Sequence, residues 1–398
     1  MIPRRTYLDY NATAPLRPEA RAAMIAALDV VGNPSSVHAE GRAARNVVEQ
    51  AREQLAALVG AMPSEIVFTS GATEANNWVM RAGWNRVVVA AQEHQSILEP
   101  ARRSGANITE LPSRQNGVVD LSMLGETVPG FWPERSLLSL QMANGETGVI
   151  QPLAAAVVAV PNHVLVHSDA VQASGRMLID FAASALDLMS ISSHKLGGPK
   201  GVGALVIRDR VDLPQLVSGG GQERRRRAGT ENVAAIAGFG AAAAAAASDM
   251  AAMVRIAAMR DRMEREVLRL GSGAVVIGKM GPRLPNTSCF ALPGRAAETL
   301  VIRLDLSGIA VSAGAACSSG KVGPSHVLAA MALAPEIARS AVRVSLGHAT
   351  TDVDIDAFLA AFGRMNEPVP EEYAGNRIPG DLVARSALAP IEITVGDV

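Results

Sequence analysis

The chain has 398 residues, 48% hydrophobic and 19% charged, with 37 lysines and arginines against 38 aspartates and glutamates. That length and apolar share suffice for one large core and a second smaller one. The near-zero charge balance supplies no global field for nucleic acid or an anionic membrane, and it points to small molecules and proteins as partners. Residues 1–11 hold no apolar segment of signal-peptide length, and later apolar stretches are expected to break before spanning length, so a cytoplasmic location is expected. Cys289 and Cys317 are the whole cysteine complement, too far apart for a CxxC metal or redox motif.

In chain order, helical patterns over 18–28 and 39–59 precede short β-rich runs at 66–68, 87–89, 137–140, 164–166, 186–191 and 204–207. The alternation predicts βαβ units and an α/β fold with a mostly parallel sheet, and runs that are apolar throughout predict strands covered on both faces. Residues 233–263, with alanines from Ala241 to Ala247, read as one long helix bridging to a second domain. Strands at 274–277, 287–292 and 342–346, with helices at 296–305 and 351–364, predict that domain as α+β. The expected division is 16–262 for the large domain, 1–15 with 263–372 for the small one, and 373–398 as a Pro- and Gly-punctuated tail.

Three chemical features fall at strand ends. Lys195, in Ser192-Ser193-His194-Lys195, follows the run 186–191 and precedes a glycine-rich turn, a placement suited to a Schiff base. Asp169 ends the run 164–168, at the carboxyl edge where open α/β sheets bind ligands; it could hold a pyridinium nitrogen protonated or simply cap a helix. Gln172 lies in the same turn, and His94 follows the strand at 87–89. The segment 70–74, SGATE, opens a helix after a strand, so bare N–H groups and the Thr73 hydroxyl could cup a phosphate, or form an ordinary N-cap. Together these describe a pyridoxal-phosphate site.

Cys317 lies among small residues at 312–321 that read as an exposed loop, a setting for a nucleophilic thiolate, whereas Cys289 reads as inert packing. Arg343 offers a planar fork for a carboxylate, with Asn33 able to assist. The arginine run 224–227, flanked by Glu223 and Glu231, reads as a solvated or phosphate-proximal loop.

Most of the chain resembles the class V aminotransferase-like pyridoxal-phosphate enzymes, and within them the cysteine desulfurases of the NifS and IscS type. The resemblance is carried by YLDYNATAP at 7–15, GNPSSVH at 32–38 and VRVSLG at 342–347, with SSHK at 192–195 and the longer loop around Cys317. It implies the fold-type-I transferase architecture, with Lys195 as the Schiff-base lysine and Asp169 as partner of the pyridine nitrogen. His94 would stack on the ring and shuttle protons, Gln172 would bond the phenolic oxygen, and Asn144 would touch the cofactor. Ala72, Thr73, Ser192 and His194 would hold the phosphate, with Thr230 reaching the phosphate of a second subunit in a homodimer. Asn33 and Arg343 would bind L-cysteine, whose sulfur passes to Cys317 as a persulfide, leaving L-alanine. The sulfur would then go to an iron-sulfur scaffold or another acceptor protein. A selenocysteine lyase or a class V aminotransferase would share Lys195 and Asp169, and the aminotransferase would not need Cys317.

Overall fold

The computed structural model describes residues 5–124, 131–314 and 325–366; Cys317 and the 373–398 tail lie outside them. Strand β1 (Thr6–Tyr7) leads to helices α1 (Pro18–Leu28) and α2 (Ala39–Val59). Pro18 presets the first turn of α1, and Gly60, with φ of 64°, closes α2 in the left-handed conformation that glycine adopts without strain. Strands and helices then alternate: β2 (Ile66–Thr69), α3 (Ala72–Met80), β3 (Arg86–Ala90), α4 (Gln95–Arg102), β4 (Asn107–Leu111), β5 (Ser136–Ser139), α5 (Leu153–Val158), β6 (Leu165–Asp169), β7 (Leu188–Ser192) and β8 (Gly203–Ile207).

The strands β2 to β8 form one sheet in the order β2-β8-β7-β6-β5-β3-β4. The pairings among β4, β3, β5, β6 and β7 are parallel, while β8 runs antiparallel to both β7 and β2. Two successive reversals return β2 to the direction of β7, so it delivers its last residue to the same edge as the parallel strands. Side chains divide between the faces with period two: Val88, Val206 and Ile191 enter one core, and Val87, Val89 and Leu205 enter the other. Burial on both faces explains why these strands are apolar throughout.

The expected long helix is divided into α6 (Val233–Ser248), a 3-10 turn over Asp249–Ala252, and α7 (Met253–Leu270). Asp249 caps α6, and its carboxylate pairs with Arg17 at 2.6 Å, which holds the turn where the helix breaks. By length and composition the run from Val233 to Leu270 could cross a membrane, contrary to the expectation that no stretch would reach that length; its apolar side chains are instead spent on two protein cores. Alanine and glycine let α6 approach its neighbours closely: a Cβ on Gly240 would lie 2.5 Å from Ala51 Cα, and one on Gly238 would lie 2.5 Å from Met24 Cγ. Ile256 and Met259 already belong to the second core, so the change of core falls at the 3-10 turn, well before position 262.

Beyond α7 come β9 (Val275–Ile277), β10 (Thr287–Ala291), α8 (Ala297–Leu306), β11 (Ile309–Ala310), β12 (Ser312–Ala313), α9 (His326–Ala330), α10 (Pro335–Arg339), β13 (Ala341–Ser345) and α11 (Asp352–Asn366). Four of these strands form an antiparallel sheet in the order β12-β13-β10-β9, while β11 takes β1 as a parallel partner. Leu8 packs in the second core beside Phe290, Phe358 and Phe362, so the N-terminal segment joins the C-terminal part.

A buried ion pair fixes the loop that returns to the large sheet. Arg52 donates to Glu223 through both terminal nitrogens at 2.8 and 2.9 Å, and Glu223 also accepts from Phe68 N at 2.9 Å. The pair holds Glu223, Arg224 and Arg225 at φ of 44°, 57° and 65°, a left-handed stretch that non-glycine residues resist. Arg52→Met leaves a buried carboxylate without its cation, and a loss of about 3–5 kcal/mol in urea unfolding is expected. The double variant R52M/E223L should recover more than half of that loss; no recovery would show that the pair is not the anchor.

Candidate active site

Because β2, β3, β5, β6 and β7 end at one edge, the residues that follow them meet there, around a cavity of about 550 Å³. Its wall includes Ala72, Thr73, His94, Asn144, Asp169, Gln172, Ser192, His194, Lys195 and Arg343. Asn33 and Thr230 do not border it. Both are exposed, and Asn33 uses its Oδ1 to accept from Ser35 N at 2.9 Å, so the chain does not place Asn33 beside Arg343.

Asp169, the last residue of β6, is 8% exposed. Its Oδ1 accepts from Val171 N at 3.0 Å, as a turn-capping aspartate does, and its Oδ2 accepts from Asn76 Nδ2 at 2.8 Å. The carboxylate therefore shapes its own turn while standing in the cavity wall. Lys195 ends the 3-10 turn Ser193–Lys195 that follows β7, and its Nζ donates to the carbonyls of Asn11 and, at 2.9 Å, Ala12. Gln172 has its Oε1 claimed by Arg176, which leaves Nε2 to donate to Asn11 O at 3.2 Å.

At the start of α3, Gly71 provides no side-chain cap, and the amides of Ala72 and Thr73 have no acceptor among the described residues. Bare N–H groups at a helix start attract an anion. Glu74, one residue on, would repel one, but Arg227 pairs with it at 2.9 Å and, with Ser70, holds its pKa below the ordinary value against the effect of burial. Within the arginine run, Arg227 thus lies beside the start of α3, while Arg224 and Arg225 are exposed. Lys200 supplies positive charge to the same cavity, which His194 also lines. Burial and then the charges of Lys195, Lys200 and Arg176 push His194 down to about 4, so its imidazole is neutral.

Asn144 lines the cavity, but its Oδ1 is committed to Glu146 N, Thr147 N and Thr147 Oγ1, so its carboxamide chiefly folds its own turn. Arg343, on β13, is 2% exposed and pairs with Asp9 at 2.7 Å. Cys289 sits opposite Arg343 in the sheet, fully buried, with its thiol pushed up to about 12 by burial, as befits packing. Cys317 lies outside the described residues, and among those residues no cluster of three metal-ligating side chains occurs.

Sequence reading passed over Asn11, Asn76, Glu93, Ser96, Glu146, Arg176, Lys200 and His326. One signal was available for Asn76: it follows Thr73 by three residues on a helix and so shares its face. His326 donates from Nε2 to Glu93 O at 2.8 Å, joining α9 to the turn that carries His94. The donor set suits pyridoxal phosphate: bare amides with Lys200 and His194 for the phosphate, an amine for the aldehyde, and a carboxylate for the ring nitrogen. Fold and site together define the class, a pyridoxal-phosphate-dependent enzyme of fold type I.

The family model described as "Aminotransferase class-V" matches residues 6–358. An IscS-like cysteine desulfurase of Mycobacterium tuberculosis is 40% identical over 370 residues, covering 89% of this chain and 94% of the relative. The cysteine desulfurase IscS of Dictyoglomus turgidum is 39% identical over 393 residues, covering 94% and 99%. A solved NifS-like protein from Rickettsia africae superposes with a TM-score of 0.84 at 36% identity, covering 91% of this chain and 99% of that one. The chain belongs to the class-V aminotransferase family and, within it, to the cysteine desulfurases of the NifS and IscS type.

Two outcomes follow from the site's construction. A Cβ at Gly203 would lie 2.7 Å from Gly71 Cα and from Ile191 O, so Gly203→Ala must displace the entry to α3. At least tenfold weaker cofactor binding is expected in an absorbance titration, with the far-ultraviolet circular dichroism retained; unchanged affinity would detach that turn from the phosphate. Burial pushes Glu146 from 4.5 up to about 7, despite the Ser325 hydroxyl and Arg343. The unfolded chain releases this proton near 4.5 and the folded chain near 7, so the folded state holds the extra proton between them. Stability owed to this group is complete below 4.5 and falls as pH rises to about 7, by at most about 1.4 kcal/mol per pH unit. Urea midpoints across that interval should fall less steeply in Glu146→Gln than in the wild type.

Proposed function

We propose that the protein removes sulfur from L-cysteine, giving L-alanine and a persulfide on Cys317 for delivery to an acceptor such as an iron-sulfur scaffold. The observation that carries this reading is the convergence of Asp169, Lys195 and the bare start of α3 on one cavity that Arg343 and His326 also line. Cys317 belongs to the segment between β12 and α9 in the sequence, outside the described residues. Its role as sulfur acceptor rests on the sequence around it.

Bound pyridoxal phosphate supplies an electron sink, maintained by a protonated ring nitrogen. The Asp169 carboxylate would hold that proton, with Asn76 and Val171 N keeping its oxygens in place. Ala72, Thr73, Ser192 and His194 would hold the phosphate, and Gln172 would supply an amide donor for the phenolic oxygen. Arg343 receives the substrate carboxylate. Lys195, drawn off the carbonyls of Asn11 and Ala12, takes the substrate α-proton and returns a proton to the product. The Cys317 thiolate attacks the substrate sulfur; the carbon–sulfur bond breaks, its electron pair stays with the departing three-carbon unit, and protonation of that unit completes alanine. Transfer balances without an external oxidant, because the sulfur retained by Cys317 carries the oxidation that alanine loses.

Thr230, exposed and away from its own chain's cavity, suits contact with the phosphate of a second copy, so the active form is read as a homodimer. A cytoplasmic location fits this chemistry.

Cys317→Ser should keep the visible spectrum of the bound cofactor and abolish alanine formation from cysteine. Full turnover in that variant would overturn the assignment, and a keto acid in place of alanine would identify an aminotransferase. Lys195→Ala should abolish the borohydride-fixed cofactor label found on residue 195 of the wild type.

A further inference from the structure

We propose that Asn76 and Ser96 lock His94 as a neutral imidazole with its proton on Nε2, making it a fixed hydrogen-bond donor and leaving proton removal to Lys195. His94 is the N-cap of α4, and its Nδ1 accepts from the backbone N–H of Ser96 at 3.1 Å. An amide aimed at Nδ1 requires a lone pair there, so a proton on that nitrogen is opposed. The Ser96 hydroxyl lies 2.7 Å from the same nitrogen. Whether it donates or accepts is decided one residue further away.

Asn76, fully buried, donates from Nδ2 to Ser96 Oγ at 2.8 Å and to Asp169 Oδ2 at 2.8 Å. A carboxylate only accepts, so Asp169 fixes which end of the Asn76 amide faces it. Turning the amide over would set its oxygen against the carboxylate. The structure keeps the observed orientation even though it leaves Asn76 Oδ1 buried without a partner. With Asn76 donating to Ser96 Oγ, the serine proton is directed to His94 Nδ1. The chain of donors therefore runs one way, from Asn76 through Ser96 to His94, with Asp169 setting its direction.

The charges around the ring agree. Burial, then Lys195 on the 3-10 turn and His326 on α9, hold His94 below its ordinary value, outweighing Asp169 on β6, which favours the charged form. The start of α4 opposes protonation as well. Solvent reaches the ring from the cavity although protein packs closely around it, and Nε2 makes no hydrogen bond to a described residue. Its N–H is thus the edge left for a ligand. A nitrogen that already carries a proton cannot take another, and Nδ1 is closed off by Ser96.

Asn76 and Ser96 are positioning residues, and the inference rests on the desulfurase reading only for the reaction that the histidine serves. The test is the side-chain nitrogen spectrum of the holoenzyme labelled with nitrogen-15 histidine, with the His94 signals assigned by their loss in His94→Gln. One protonated Nε2 and one bare Nδ1 are expected, unchanged from about pH 6 to about pH 9. Ser96→Ala should mix the two tautomers or let His94 titrate, and should lower kcat about tenfold with KM within about twofold; Ser96→Thr, which keeps the hydroxyl, should restore both readouts. A wild-type His94 protonated on Nδ1, one that becomes doubly protonated within that range, or a Ser96→Ala spectrum identical to the wild type would each overturn the proposal. Absence of alanine production by the wild-type enzyme would sink the desulfurase reading and leave the tautomer result standing.

Discussion

Parallel pairing obliges β3, β5, β6 and β7 to deliver their final residues to one edge of the sheet, and the rest of the molecule depends on that alignment. His94, Asp169 and Lys195 are far apart in sequence, yet each follows a strand that ends there. The two reversals through β8 bring β2 to the same edge and with it the bare start of α3. Backbone hydrogen bonding therefore sets the relative positions of amine, carboxylate and anion cup before any side chain contributes. The side-chain contacts then select rotamers and proton positions within that frame.

Among the buried cations of the cavity, Arg343 pairs with the Asp9 carboxylate, whereas Arg176 and Lys195 are set against neutral oxygens. Arg176 donates to Gln172, Tyr10 and Lys195 through carbonyl and amide oxygens, and burial followed by the Arg343 charge pushes its guanidinium down to about 9. Lys195 likewise rests on carbonyls. Carboxylates are kept off the electropositive side or neutralised, as with Glu74 by Arg227. Glu93, completely buried and close to Asp169, has its pKa pushed well above the ordinary value, chiefly by burial. A phosphate dianion supplies the charge that this arrangement is short of.

Much of this was legible in the sequence, for a physical reason. A strand buried on both faces is mostly apolar, so a polar residue at its end draws attention, as Ser192 does after Ile191, whereas Asp169 follows the buried His167 and Ser168 and is marked by its charge. The elements of the second core were visible by the same periodicity. The break between α6 and α7 was hidden because helix propensity continues across Asp249–Ala252, and only the tertiary contact with Arg17 shows where the turn is held. Asn76 and Ser96 were missed because a polar residue on a short helix looks like a solvated one until its partner from another strand is known. Asn144 does more than the sequence reading gave it: it lines the cavity and also accepts from the backbone of its own turn.

The segment from Thr6 to Thr13 has a consequence for the chain's biosynthesis. Its backbone is held by Gly308, Ala310 and Ser345, while its carbonyls at Asn11 and Ala12 receive the Lys195 amine. Thr6, Leu8 and Tyr10 therefore wait for Gly308, Ala310 and Ser345 before they have a place to settle. Closing so long a loop is entropically slow, and domains otherwise condense as they emerge. The large sheet can assemble during synthesis, but the lysine's resting place exists only once residue 345 has arrived. Cofactor capture is thereby tied to the arrival of residue 345, and a chain terminated before it lacks the floor on which Lys195 is presented.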